Sequence, residues 1–81
     1  MRLSDKEFLL LRELQQNERH KRNYVKITVL LMLHLGNSAE NIALSLGISA
    51  GTVANYQKRY QQEGLETVLK PIYYKLGFSH L

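Results

Sequence analysis

The sequence lacks cysteine and contains a single aspartate, Asp5, among its 81 residues. Without cysteine the chain can form neither a disulfide framework nor a thiolate metal site, and this composition fits a reducing cytoplasm. A single aspartate makes an acidic metal-binding triad hard to assemble, and the three histidines are too dispersed for a local metal motif. No nucleophile–base set, glycine-rich phosphate loop or carboxylate pair stands out. We therefore expect no enzyme activity, no cofactor and no small-molecule substrate.

Long apolar runs are also lacking. The strongly apolar stretch from Ile27 to Leu35 is far shorter than the ~20 residues that a membrane-spanning helix needs. At the N-terminus, Asp5 and Glu7 lie beside the first apolar residues, which is not the pattern of a signal peptide. Eleven Lys and Arg residues oppose seven Asp and Glu residues, and the net charge of +4 suits a polyanionic partner without demanding one. We expect a cytoplasmic protein with no membrane partner.

Helix signals run through most of the chain, which holds one proline and five glycines. Ser4 and Glu7 have the spacing of a capping box, so the first helix should begin near Asp5. The second helix is apolar on nearly all sides, which favours a central buried helix that ends at Gly36. Its apolar stripe, which we expect to be buried, comprises Tyr24, Ile27, Leu31 and Leu35, and Leu30 and Leu33 widen it.

The middle of the chain carries the spacing of a helix-turn-helix. Ile42 and Leu46 lie four residues apart and so share one face of a short helix. Gly47 supplies the left-handed backbone of a three-residue turn, and Ser49 can cap the helix that follows. Val53 then points that helix back at the first one. The alternative is an ordinary helical hairpin, which needs the apolar face but not this spacing at the corner.

These signals together predict an all-α fold. Ser38 can cap a third helix over residues 39–46, and a fourth helix should run from about Ala50 to Glu63. We expect a small helix-turn-helix bundle of four to five helices, homeodomain-like or winged-helix-like, that occupies residues 1–70. Residues 71–81 are expected to form an irregular aromatic tail.

The second helix of a helix-turn-helix lies in the major groove of DNA, so its outward residues are candidates for base contacts. Asn55 could pair with adenine through its amide, and Lys58 could reach guanine or a phosphate. The alternative is a solvated helix face, which Asn and Lys occupy routinely. Ala50 and Gly51 offer no side-chain hydrogen bond, so either the backbone approaches DNA closely there or specificity comes from elsewhere. The candidate DNA-binding residues are Lys21, Arg22, Ser38, Ser49, Ala50, Gly51, Thr52, Asn55, Lys58 and Arg59.

Positive charge is concentrated where the second helix begins. Arg19, Lys21 and Arg22 lie there, although positive charge near a helix N-terminus opposes the helix dipole. Because this arrangement is slightly unfavourable for the fold, we interpret these residues as contacts to DNA phosphates. The alternative is a solvated basic turn between two helices.

Most of the chain, from about residue 19 to residue 70, carries features that one known family shares. They are a basic helix that runs into a leucine-rich core, the helix-turn-helix, and the more discriminating exit sequence KRYQQEGLETVL. In these features the chain resembles the N-terminal DNA-binding domain of bacterial insertion-sequence transposases related to the mariner superfamily. The resemblance implies binding to the terminal inverted repeats of a transposable element, with groove contacts from residues 49–59. The acidic catalytic residues of that family are not present, so we expect no DNA cleavage by this chain.

Two other functions are compatible with the same fold. The chain could be a stand-alone transcriptional regulator that forms a homodimer through its N-terminal helix or its aromatic tail. It could also be a helical protein-interaction module that has lost DNA binding, an idea that Ala50 and Gly51 make credible. The leading expectation is sequence-specific binding to double-stranded DNA.

Overall fold

Five helices make up the part of the chain, residues 1–69, that the computed structural model describes. Their bounds are α1 (Asp5–Asn17), α2 (Lys21–His34), α3 (Ala39–Leu46), α4 (Ala50–Glu63) and α5 (Leu65–Val68). Residues 1–69 contain no strand, so the described chain is all-α, as the sequence predicts. The aromatic tail expected at residues 71–81 lies outside the described residues, and the domain boundary at residue 70 stays a prediction.

Serine residues cap the N-termini of three helices. The hydroxyl of Ser4 accepts a hydrogen bond from the Glu7 amide, and the Glu7 carboxylate accepts one from the Ser4 amide, which completes the predicted capping box. Ser38 and Ser49 cap α3 and α4 in the same way, each accepting from the amide three residues on at 3.1 Å. A cap of this kind stabilises a helix by about 1 kcal/mol. The start of α2 differs, because His20 makes no side-chain cap.

Helix α2 is the central element, as its apolar sequence predicts. It packs against α1, α3 and α4. Ile27 and Leu30 face a cluster shared with α1 and α5, whereas Val29 and Leu33 face a second cluster shared with α3 and α4. Burial on two sides is the reason that the helix is apolar nearly all round.

The predicted stripe on α2 is wrong at both of its ends. Tyr24 is 42% exposed and Leu35 is 67% exposed, although Ile27 and Leu31 are buried as expected. The buried residues of α2 all lie between Ile27 and Leu33. The two ends of the stripe therefore project past the core that the neighbouring helices enclose.

The corner between α3 and α4 has the geometry of a helix-turn-helix. Gly47 has φ +69° and ψ +33°, the left-handed conformation that the sequence predicts. The Ile48 amide donates to the Ala43 carbonyl at 3.0 Å and closes the turn. Ile42 and Val53 are fully buried in one cluster beyond the corner, so the packing fixes how α4 crosses α3.

Three long-range hydrogen bonds join the N-terminal segment, α1 and α5 to helices α2 and α4. The Leu3 amide donates to Nδ1 of the half-buried His34 at 3.0 Å and so holds the N-terminal segment against α2. The hydroxyl of Tyr60 on α4 donates to Glu7 on α1 at 2.7 Å. Lys26 Nζ on α2 donates to the Val68 carbonyl at 3.2 Å, and so joins α2 to the end of α5.

Candidate nucleic-acid interface

Helix α4 buries one side and leaves the other open. Val53 is fully buried and Tyr56 is half-buried, whereas the residues on the opposite side are exposed. We call that side the α4 face; its exposed members are Ala50, Gly51, Ala54, Asn55, Lys58 and Arg59. The outward placement that the sequence predicts for the second helix of the motif is confirmed.

The α4 face holds a shallow concave surface. Thr52, Asn55 and Lys58 line it together, as their three-residue spacing predicts, and Tyr56 and Arg59 contribute to its wall. Two more residues on the same helix, Gln62 and Glu63, also line this surface. Amide, hydroxyl, ammonium and guanidinium groups thus converge on one surface, and these are the groups that pair with base edges and phosphates.

Glu63 is the one acidic residue among the described residues that line this concave surface. Its Oε2 lies 3.9 Å from Nε of Arg59, one turn earlier on α4. Both side chains are about half exposed, so the pair contributes little to stability. It does partly offset the positive charge that Arg59 presents.

The two hydroxyls at the start of α4 have little hydrogen-bonding capacity to spare. Ser49 Oγ accepts from the Thr52 amide at 3.1 Å and lies 2.9 Å from Thr52 Oγ1. In that hydroxyl pair one O–H donates to the other, so only one proton is left for an outside acceptor. The main role of Ser49 is therefore to begin the helix and to hold Thr52 on the α4 face.

Glycine at position 51 is not required by the folded chain. Gly51 lies in the first turn of α4 and is not among the glycines with positive φ. A Cβ added there would meet only Ser49 Oγ, at an ordinary contact distance of 3.8 Å. The small residues at positions 50 and 51 leave the backbone of this turn open to an approaching partner.

The basic start of α2 lies beside the first turns of α4. His20, Lys21 and Arg22 line a cleft together with Thr52 and Tyr56. We call this the α2–α4 cleft, and Val25 and Ile48 also line it. The structure thus brings Lys21 and Arg22 next to the α4 face, although they lie about thirty positions earlier in the sequence.

Ser38 is a predicted site residue that lies away from the α4 face. It caps the end of α3 that lies away from the turn. Eight residues of helix separate it from Gly47, a length of about 12 Å. Ser38 therefore belongs to a different part of the surface from the residues at the start of α4.

Lys26 is a basic residue that the sequence did not place in the site. Its Nζ lies 5.8 Å from the centroid of the Tyr56 ring, within range of a cation–π contact. Burial lowers the pKa of Lys26, and the positive charges of Arg59 and Arg22 lower it further. The spacing of Arg22 and Lys26, four residues apart on one helix, was visible in the sequence; the approach of Arg59 was not.

Residues 1–69 show neither of two other kinds of site, a metal centre and a membrane span. No three metal-ligating side chains lie together there in a way that could hold a metal ion. No helix in this part of the chain has the length and apolar character needed to cross a membrane.

The chain matches the model of a known protein family. A family model described as a winged helix-turn helix matches residues 26–71, which is more than half of the chain. The match begins within α2 and includes all of α3, α4 and α5. Helix α1 and the basic start of α2 lie outside it. No curated protein and no solved structure matches the chain.

Proposed function

Because this chain belongs to the winged helix-turn-helix family, we propose that it binds double-stranded DNA sequence-specifically, with α4 in the major groove. The second helix of such a motif docks in the groove with its N-terminal residues at the base edges. The observation that carries the proposal is the α4 face, where Thr52, Asn55 and Lys58 line one exposed concave surface.

Each residue of this surface has a role that its chemistry suggests. The amide of Asn55 matches the acceptor–donor edge of adenine, and the ammonium of Lys58 suits guanine or a phosphate. Thr52 suits a thymine methyl group or a phosphate. The open first turn at Ala50 and Gly51 allows close approach of the backbone to the base pairs. Arg59 adds positive charge beside this surface.

Phosphate contacts would come mainly from outside α4. Lys21 and Arg22 are exposed and line the α2–α4 cleft, so they would reach the DNA strand that flanks the groove. Such contacts position the protein and carry affinity, but they do not read sequence. The hydroxyls of Ser49 and Ser38 would add weaker phosphate contacts at two separate points.

The DNA target that we propose is the terminal inverted repeat of a transposable element. Support comes from the resemblance to transposase DNA-binding domains, above all in the exit sequence KRYQQEGLETVL, which spans the end of α4 and α5. In this role the chain would recognise the element and leave strand cleavage to a catalytic domain. A cysteine-free chain whose partner is DNA also fits a cytoplasmic location.

A second candidate function is that of a dimeric transcriptional regulator with the same DNA-binding mode. The observation that favours it is Leu9, which is 67% exposed on α1, the helix that the family match does not include. An exposed leucine on an added helix suits a contact between two copies. In this case the target would be a pair of half-sites related by two-fold symmetry.

The proposal is tested by the binding of the purified chain to a random-sequence duplex and to a single strand of the same length. At low salt we expect binding to the duplex in preference to the single strand. Four or five phosphate contacts would give a slope of about −4 in a plot of log K against log salt concentration. Absence of duplex binding at low salt would contradict the proposal, as would binding that salt does not weaken.

A further inference from the structure

Three basic side chains lie in the neighbourhood of Tyr56. Arg22 and Lys26 lie one turn apart on α2, and Arg59 lies three residues after Tyr56 on α4. Lys26 Nζ is 5.8 Å from the centroid of the Tyr56 ring. Burial lowers the pKa of Lys26, and the positive charges of Arg59 and Arg22 lower it further. Like charges near one another repel, and a bound anion relieves that repulsion.

The position of Tyr56 shows which anion the cluster suits. Tyr56 lines both the concave surface of the α4 face and the α2–α4 cleft. Arg59 lines the first of these surfaces and Arg22 lines the second. The cluster thus lies on the border between the surface proposed to enter the groove and the basic start of α2. When a helix occupies the major groove, a sugar–phosphate strand passes along this border.

The cleft beside the cluster is almost entirely apolar. Val25 and Ile48 lie in its lining, and Lys21 and Arg22 border it mainly through the aliphatic parts of their side chains. A DNA strand presents the carbon atoms of its sugars between its phosphates, so an apolar cleft next to a basic cluster suits a strand better than an isolated anion.

Lys26 also has a structural role that must be separated from anion binding. Its Nζ donates to the Val68 carbonyl at the end of α5, as lysines near helix C-termini commonly do. An ammonium group has three donors, and this bond uses one of them. The remaining N–H groups are available to phosphate oxygens.

We propose that Arg22, Lys26 and Arg59 form one phosphate site, centred on Tyr56, that grips the DNA backbone at the edge of the groove occupied by α4. The proposal rests on the proposed function, because it assigns the ligand of this cluster as a phosphodiester of the same duplex. It goes further by giving the half-buried Lys26 a role in binding and by joining residues of two helices into a single site.

The test measures the salt dependence of duplex binding by fluorescence anisotropy with a random-sequence duplex. Lys26→Met keeps most of the side-chain packing and removes the charge. It should flatten the slope of log K against log salt by about 0.9, the value for one phosphate contact. Lys26→Arg should restore the slope. Lys6→Met removes an exposed lysine from the start of α1 and should leave the slope unchanged.

A double-mutant cycle tests whether the residues share one site. Arg22→Gln and Arg59→Gln alter exposed side chains, so they keep the test open even where Lys26→Met fails to fold. If the residues share one phosphate, the double variant loses less affinity than the sum of the two single variants. Full additivity would overturn the single site, and so would a wild-type slope in folded Lys26→Met.

Two further results distinguish a backbone phosphate from a free phosphate, and failure of this inference from failure of the proposed function. Inorganic phosphate should displace the duplex no better than chloride at equal ionic strength. Stronger displacement that Lys26→Met abolishes would assign the cluster to a free phosphate ligand and overturn the backbone site. Failure of the wild-type chain to bind duplex would overturn the proposed function itself, whereas duplex binding with unchanged slopes in the variants would overturn only this inference.

Discussion

The hydroxyl of Tyr60 donates a hydrogen bond of 2.7 Å to Oε1 of Glu7, and so joins α4 directly to α1. The same carboxylate oxygen accepts the Ser4 amide in the capping box at 3.0 Å. Burial raises the pKa of Tyr60, and the bond to Glu7 adds to this, bringing it to about 12. Burial also opposes ionisation of Glu7, but the hydrogen bonds from Tyr60 and Ser4 together outweigh it and lower its pKa. Helix α1, which lies outside the family match, is thus fastened to the helix that we propose to enter DNA.

Loss of the Tyr60 hydroxyl should change both stability and its dependence on pH. Tyr60→Phe removes a hydrogen bond to a carboxylate, and we expect the free energy of unfolding to fall by about 1–2 kcal/mol. Since the folded pKa of Glu7 is lowered, its contribution is present above the unfolded pKa and is lost as the pH falls through the folded value. The folded pKa of Tyr60 is raised, so its contribution is present below the unfolded pKa, near 10, and is lost as the pH rises towards about 12.

Urea unfolding over a range of pH measures this effect. Tyr60→Phe should flatten both the acid and the alkaline limbs of the stability profile relative to the wild type. Tyr24→Phe is the matched control, because Tyr24 is 42% exposed; it should leave the profile close to that of the wild type. Identical profiles for the two variants would contradict the coupling of Glu7 and Tyr60.

The local parts of this fold were predictable from the sequence, because they depend on residues a few positions apart. The capping box at Ser4, the left-handed Gly47 and the cap at Ser49 each follow from short spacings, and the structure confirms them. The predicted burial of Tyr24 and Leu35 is wrong. Helical periodicity gives the direction in which a side chain points, but it does not show how far along α2 the neighbouring helices extend.

The surface of α4 was predictable in the same way, whereas its surroundings were not. The outward placement of Asn55 and Lys58 follows from their spacing to Val53. The approach of Lys26 to Tyr56, and the bond between Tyr60 and Glu7, depend on how helices cross. Crossing angles depend on the packing of whole helix surfaces. They cannot be predicted from the spacing of a few residues in one sequence.

Gly47 should be the glycine on which the corner depends. Gly47→Val places a β-branched residue at φ +69°, and we expect a loss of about 2 kcal/mol and a melting temperature lower by about 10 °C. Gly51→Ala is the matched control, because position 51 has room for a Cβ and no positive φ. It should raise stability by about 0.5–1 kcal/mol. Thermal melts decide the matter, and an unchanged melting temperature for Gly47→Val would contradict the corner geometry.

The Gly51→Ala variant also decides between the two interpretations of the open first turn. If the backbone of α4 approaches DNA closely at this point, the added methyl group weakens binding even though the fold is more stable. If specificity comes from elsewhere, the affinity for duplex stays unchanged. A duplex titration of the stabilised variant therefore separates close backbone approach from a role for other residues.

Removal of the Glu63 carboxylate should strengthen DNA binding. Glu63 lies 3.9 Å from Arg59 and lines the concave surface that we propose to face DNA. Glu63→Gln removes a repulsive charge at a surface position, where such effects amount to about 0.5–1 kcal/mol, equivalent to a twofold to fivefold gain in affinity. Glu13→Gln on α1 is the charge-matched control and should give a smaller gain. Equal gains in both variants would show that only net charge matters.

The central claim is that the α4 face reads base sequence, and Asn55 is its sharpest test. Asn55 is exposed, so Asn55→Ala should leave the melting temperature unchanged. Lys58→Ala, on the same surface, removes charge and should weaken binding to all duplexes. The two variants together distinguish a helix that reads bases from one that is merely basic.

The decisive measurement compares the affinity of Asn55→Ala for two duplexes, one selected by the wild-type chain from a random pool and one of random sequence. We predict a loss of about 1–3 kcal/mol on the selected duplex, the range for one bidentate base contact, and little loss on the random duplex. An equal loss on both duplexes, or no loss on the selected one, would contradict base reading by the α4 face.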